Sequence, residues 1–242
     1  SNTTASNNVA TGYHALFANT TGTYNVAVGK AALYANTVGS NVTAVGYNAL
    51  TANTTGGSNT AVGTSCLDAN TTGGNNVALG TSALGANTTA SSNTAVGTSA
   101  LTANTTGQQN VAVGSSSMLA NTTGGQNVAI GMGALEGNTT GSQSCAVGFR
   151  ALTTQTGVGE VNNALGTDAL RLTTTGQANN AMGHSALENN TTASYNTAMG
   201  HRSMTSVTTG ARNCGFGAYA GSNLVTGNNN TAIGEEALAS GN

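Results

Sequence analysis

Proline is absent from the 242 residues, and only 5% of them are charged. Disordered chains are usually rich in proline and carry high net charge. Here the net charge is −2 and the apolar residues keep a strict phase, so a folded chain is expected. Lysine and arginine together number five, too few and too scattered for the phosphate neutralisation that drives nucleic-acid binding. No apolar run approaches the roughly 20 residues of a membrane-spanning helix, so no membrane insertion is expected. No signal peptide is recognised. The three cysteines, Cys66, Cys145 and Cys214, form no spaced pair that reads as a redox or zinc motif. They stand where Ala, Val or Thr stand elsewhere and are expected to be small core residues.

What is present is repetition. Asn93 to Gln109, NTAVGTSALTANTTGQQ, is a seventeen-residue unit that the chain copies throughout. Numbered from its Asn, position 5 is glycine at Gly12, Gly29, Gly46, Gly63, Gly80, Gly97, Gly114, Gly131 and Gly148, always seventeen apart. One step of eighteen leads to Gly166, after which Gly183, Gly200, Gly217 and Gly234 resume the period. That makes fourteen units with a one-residue insertion near 153–161, expected to form a bulged outer loop that includes Glu160. A fixed period of this size marks stacked repeats, none of which buries a core alone. Seventeen residues suit one turn of a parallel β-solenoid, a β-roll or β-helix. The whole chain, 1–242, reads as one continuous all-β repeat domain of about 14 coils. At about 4.8 Å per coil its length would be roughly 65 Å.

Within the unit, positions 1 to 4 read as a short strand with β-branched residues alternating with Ala. Positions 8 to 14 form the return path, where a second strand is favoured over one helical turn. The glycine at 15 is expected to close the coil in a positive-φ conformation. Neither end carries a polar cap, so a segment of a longer fibre is expected. Charges fall only at positions 6, 7, 10 and 17 and in the insertion, which places those positions in water. Eight of the nine aromatics follow the same rule, leaving Phe216 in the core set. Val96 and Leu101, at positions 4 and 9, are expected to be the most buried.

No catalytic residue, metal ligand or cofactor site is indicated. His184 and His201 share a position in adjacent coils and should stand about 5 Å apart, but two imidazoles fall short of a zinc site. Asn at positions 1 and 12 should stack into amide ladders. The rival use of position 12 is glycosylation. Asn19, Asn53, Asn70, Asn87, Asn104, Asn121, Asn138 and Asn190, with Asn2, each begin an Asn-Thr-Thr acceptor sequon. Position 3 is almost unvaryingly small, as at Ala27, Ala61, Ala95, Ala129, Ala164 and Ala198. If position 4 fills the core, these alanines point outward, and their constancy implies an oligomer interface.

The run Asn93 to Gly107 resembles a tandem repeat of bacterial surface and phage tail-fibre-like proteins, and the likeness covers essentially the whole chain. The Asn-x-Ala-Val/Ile-Gly core is more distantly similar to the head repeat of trimeric autotransporter adhesins, a left-handed parallel β-roll. The resemblance implies a homotrimeric extracellular fibre segment on a cell surface or virion, continued end to end. The function expected is therefore a structural or adhesive shaft without enzymatic activity. Two alternatives stay open. Binding of surface glycans would need the aromatics of positions 6, 10 and 17 to cluster. Ice binding would need ordered threonine ranks, yet of the adjacent pair Thr105 and Thr106 only one can face out.

Overall fold

The computed structural model of the chain describes residues 4–157 and 161–239. They fall into two compact units, Ser1–Thr123 and Gly124–Asn242. The first holds seven three-residue strands: β1 (Val9–Thr11), β2 (Val26–Val28), β3 (Thr43–Val45), β4 (Thr60–Val62), β5 (Val77–Leu79), β6 (Thr94–Val96) and β7 (Val111–Val113). The second holds β8 (Val128–Ile130), β9 (Cys145–Val147), β10 (Asn163–Leu165), β11 (Asn180–Met182), β12 (Thr197–Met199), β13 (Cys214–Phe216) and β14 (Thr231–Ile233). In each unit every strand pairs in parallel with the next one in sequence. The register is that of the repeat: Ala10 faces Ala27, and Ala181 faces Ala198. The expected parallel β-solenoid, one unit per coil, is what the chain forms.

The coil has one strand, not two. After Gly at position 5 the chain returns through turns, and among the described residues the return path holds neither the favoured second strand nor a helix. Its backbone is still paired from coil to coil. Leu101 N–H donates to Ser117 O at 3.0 Å, Ala103 N–H to Leu119 O at 3.2 Å and Thr105 N–H to Thr122 O at 2.9 Å. The tightness comes from left-handed backbone at non-glycine residues. Ser99, Leu101 and Gln109, at positions 7, 9 and 17, have φ of 58°, 53° and 60°, and their equivalents recur along the chain. A left-handed leucine, or the methionine that replaces it at Met118 and Met204, costs about 1–2 kcal/mol. It persists because the fold holds it, with the leucine fully buried.

Glycine has other work. Gly97 has φ of 132°, and a Cβ there would lie 2.6 Å from Gly114 O in the next coil. Position 5 therefore needs glycine for both conformation and space. The glycine at position 15 was expected to supply positive φ and does not. A Cβ on Gly56 would meet Asn53 Oδ1 at 2.5 Å, so space is short in that coil, yet Ala90 and Ala193 hold the same position buried, and glycine is not obligatory there.

The core sits inside each coil and is thin. Leu33, Leu50, Leu67, Leu84, Leu101 and Met118 fill it in the first unit, and Leu135, Leu152, Leu170, Leu187 and Met204 in the second, all fully buried. Facing them are the alanines of position 3. Ala27, Ala61, Ala95, Ala129 and Ala198 are 0% exposed and Ala164 is 2% exposed within the single chain. They are core residues, and the interface assigned to them does not exist on that side of the strand. The physical reason is volume. Position 9 crosses the coil toward the strand, leaving space for a methyl group and no more. At Gly215, opposite Ser203 and Met204, the space is smaller still, because even a Cβ would stand 2.7 Å from Ser203 Oγ and 2.9 Å from Met204 Cγ. Position 4 consequently faces outward. Val96 is half-buried, and Val62, Ile130, Leu165, Met182, Met199 and Phe216 are exposed. Phe216 is thus no core residue.

Candidate functional site

The asparagines define the inner polar wall. Asn36, Asn53, Asn70, Asn87, Asn104 and Asn121 each donate Nδ2–H to the Oδ1 of the asparagine one coil earlier, at 2.8–3.0 Å. Most donate a second bond within their own coil, as from Asn53 to Gly56 O at 2.9 Å. Position 1 works differently: Asn59 Oδ1 accepts from the backbone N–H of Asn76 at 2.9 Å, and Asn59 Nδ2 donates to Gly73 O at 2.8 Å. Both ladders were expected. Their formation removes the glycosylation reading. Asn19, Asn53, Asn70, Asn87, Asn104, Asn121, Asn138 and Asn190 are 0% exposed, with their amides enclosed by the coil. Asn2 lies outside the described residues.

In the second unit the position-12 ladder changes chemistry. Gln155 takes the asparagine slot, donating to Ser144 Oγ at 3.1 Å and accepting from Asn162 Nδ2 at 3.0 Å. Repeat register therefore holds through Gln155. Of the predicted bulge, residues 158–160 with Glu160 lie outside the described residues. Farther on, Asn190 donates to Thr173 Oγ1 at 3.2 Å, but its Oδ1 has no hydrogen-bond donor because the next coil presents Val207.

Charges cluster on one wall of the second unit. Asp168 lies 3.1 Å from Arg150 and 3.5 Å from Arg171, and Arg171 lies 2.7 Å from Glu188. Burial pushes the Glu188 carboxyl up, but the Arg171 guanidinium and the Ser185 hydroxyl outweigh it and hold the group below its ordinary value. Asp68, in the first unit, has no such partner, and burial raises it. His184 and His201 stack at 5.2 Å, close to the expected spacing, and His201 meets Tyr219 edge-on at 5.2 Å. Among the described residues no three of His, Cys, Asp and Glu come together as a metal site would require.

Cys66 is the small core residue expected. Its Sγ donates to Ala78 O at 3.0 Å, and burial pushes the thiol up to about 12. Cys145 and Cys214 are half-buried on the outer strand face, contrary to the core expectation, because position 2 shares the outward direction of position 4. Of the paired threonines, Thr106 is exposed, whereas Thr105 is half-buried and spends its hydroxyl on Thr122 O at 3.0 Å.

Two surfaces remain that the coil does not need for itself. The first is the outward strand face. In the second unit it is grooved, with a hollow of about 210 Å³ lined by Val147, Leu165, Met182 and Met199 among others. Sequence reasoning missed this face by turning the strand over. The second is a knot of rings at the start of the first unit. Tyr13 stacks on His14 at 3.9 Å, and His14 approaches Phe17 and Tyr34 at 4.8 and 5.7 Å. Phe17 and Tyr34 stack at 5.4 Å with planes 5° apart. No family model, curated protein or solved structure matches the chain.

Proposed function

We propose that this chain is a non-enzymatic segment of an extracellular structural fibre, on a cell surface or a virion, that associates with copies of itself through the outward strand face. The observation that carries the proposal is the makeup of that face. Positions 2 and 4 hold Val, Thr, Leu, Ile, Met, Phe, Cys and Asn and never a charge. In the second unit, side chains such as Leu165 and Met182 remain 44% and 46% exposed. Seven three-residue strands present roughly 300 Å² per unit at the usual strand and residue spacings. A face of that size matches the largest apolar patch of an ordinary monomer, which is often a functional surface.

The occupant that fits is a second copy. The rows of side chains recur at the coil spacing, and a partner surface meshes with all of them only if it has the same pitch. Another copy of the chain has it. Three copies is the number that the likeness to trimeric fibre proteins implies; closed cyclic arrangements of identical chains are the common solution. End-to-end continuation belongs to the same proposal. From Asn36 to Asn104 each position-12 asparagine donates to the coil before it and accepts from the coil after it, so nothing in that ladder sets a number of coils, although Val207 and Leu224 interrupt the rank farther on. Sedimentation and light scattering of the isolated chain at tens of micromolar test this. A discrete oligomer or a filament is expected, and a monomer at all concentrations would overturn the self-association.

A further inference from the structure

We propose that the first three coils carry a binding platform for a carboxylate-bearing saccharide, built from Tyr13, His14, Phe17, Lys30, Tyr34 and Tyr47. Tyr13, Lys30 and Tyr47 occupy position 6 of successive coils, and Phe17 and Tyr34 occupy position 10 of the first two. His14 joins the two ranks, since its ring lies within 3.9 Å of Tyr13 and within 4.8 and 5.7 Å of Phe17 and Tyr34, centre to centre. Lys30 Nζ lies 5.5 Å from the centre of the Tyr47 ring. The platform spans two coil steps, roughly 10 Å, which is the footprint of a short oligosaccharide.

The rings are not there to close the fold. Beneath them Ala32, Leu33, Ala49 and Leu50 are already 0% exposed. Later coils of the same unit form the same structure with Thr98 and Thr102 at those positions. Yet Tyr13, Phe17 and Tyr47 remain 66%, 50% and 49% exposed. Aromatic rings held in water by a finished scaffold offer flat, electron-rich faces and edges to apolar C–H groups, and a pyranose ring presents such C–H groups beside its hydroxyls. The tyrosine hydroxyls and His14 add donors and acceptors for the latter.

Charge selects the class of sugar. Lys30 is the one lysine or arginine among residues 1–123, and the one acid there, Asp68, sits in the fourth coil. The platform therefore carries a cation with no carboxylate beside it, and an ammonium pairs with a sugar carboxylate through a charge-assisted hydrogen bond. A neutral sugar would leave that cation unused.

The test titrates the intact chain with trigalacturonate, and separately with maltotriose, by calorimetry and saturation-transfer NMR. Trigalacturonate is expected to bind with submillimolar Kd, at least fivefold more tightly than maltotriose, and to weaken severalfold between 50 and 500 mM salt. Phe17→Thr with Tyr34→Thr, which installs residue types the repeat uses elsewhere, should remove binding while the circular dichroism stays unchanged. Lys30→Thr should abolish the preference for the acidic sugar. Absence of binding, or binding that survives the double variant, would overturn the platform. Equal affinity for both sugars would overturn its charge assignment. Sedimentation of the same samples separates this outcome from failure of the self-association, which uses a different wall of the coil.

Discussion

A single asparagine of the inner ladder holds three partners at once. Asn70 donates to Asn53 Oδ1 at 2.8 Å and to Gly73 O at 3.0 Å, and accepts from Asn87 Nδ2 at 3.0 Å. Asn70→Ala strips Asn53 Oδ1 of its donor, takes one of two partners from Gly73 O and from Asn87 Nδ2, and leaves a cavity in a dry interior, where a buried orphan costs about 1–3 kcal/mol before relaxation. A loss of about 2–4 kcal/mol in denaturant unfolding is expected. The two shifted carboxylates give opposite pH signatures. Glu188 is held below its ordinary value, so its contribution is present above the unfolded carboxylate pKa and is lost as pH falls through the lower folded one. Glu188→Gln should destabilise at neutral pH and be silent in strong acid. Asp68 is raised, so the folded state is penalised once pH exceeds the folded value and is relieved below the unfolded one. Asp68→Asn should therefore stabilise at neutral pH and change nothing in strong acid, read from unfolding midpoints across that range.

At the scale of the element, the coil is set by where a Cβ is forbidden. Gly63 has φ of 142°, and a Cβ would stand 2.5 Å from Gly80 O. Gly63→Ala should cost about 3 kcal/mol or more, the sum of a strained conformation and a backbone clash. Gly74, at position 16, is the control, because its Cβ would come no closer than 3.1 Å and Ser91 holds the same place one coil on. Gly74→Ala should change stability by less than about 1 kcal/mol. The period, a strand within positions 1 to 4, which forms at 2 to 4, the buried Leu101 rank and the amide ladders were all legible in the sequence. The direction of the strand was not. Alternation of Ala95 with Thr94 and Val96 is the same pattern whichever face is inward. What decides is the volume of Leu101 arriving from the opposite wall, a quantity that no window of the strand contains. The return path was hidden for a similar reason. Leucine prefers helix or strand, so left-handed Leu101 is a tertiary demand that overrides local propensity. Of the candidate surfaces, the aromatic positions were legible as exposed, but their gathering around His14 depends on the exact side-to-side spacing of positions 6, 7 and 10.

For the molecule as a whole, neighbouring residues of one strand separate folding from assembly. Ala181 is 3% exposed and points into the coil, whereas Met182 is 46% exposed and points out. Ala181→Glu forces a carboxylate into a space sized for a methyl group. Burial of an unpaired charge joins overpacking there, and the second unit should unfold or fail to form. Met182→Glu places the same carboxylate in water in the single chain, so circular dichroism and the unfolding midpoint should stay near wild type. In an assembly built on the outer face, that carboxylate would meet its copies across the interface, where like charges repel and lose solvent. Met182→Glu should therefore shift the sedimentation profile to the monomer without unfolding it. Cys145 supplies a reporter that needs no substitution. It lies on the same face beside Val147 and Leu165, half-buried in the single chain. Copies packed in parallel and in register bring Cys145 near its own counterpart, and mild oxidation should then yield a dimer band under non-reducing conditions that Cys145→Ser removes. Cys66, enclosed with its thiol held protonated, should contribute none. Loss of both the oligomer and the crosslink in Met182→Glu, with the fold intact, is the joint outcome expected. An oligomer that survives Met182→Glu unchanged would move the interface off the strand face.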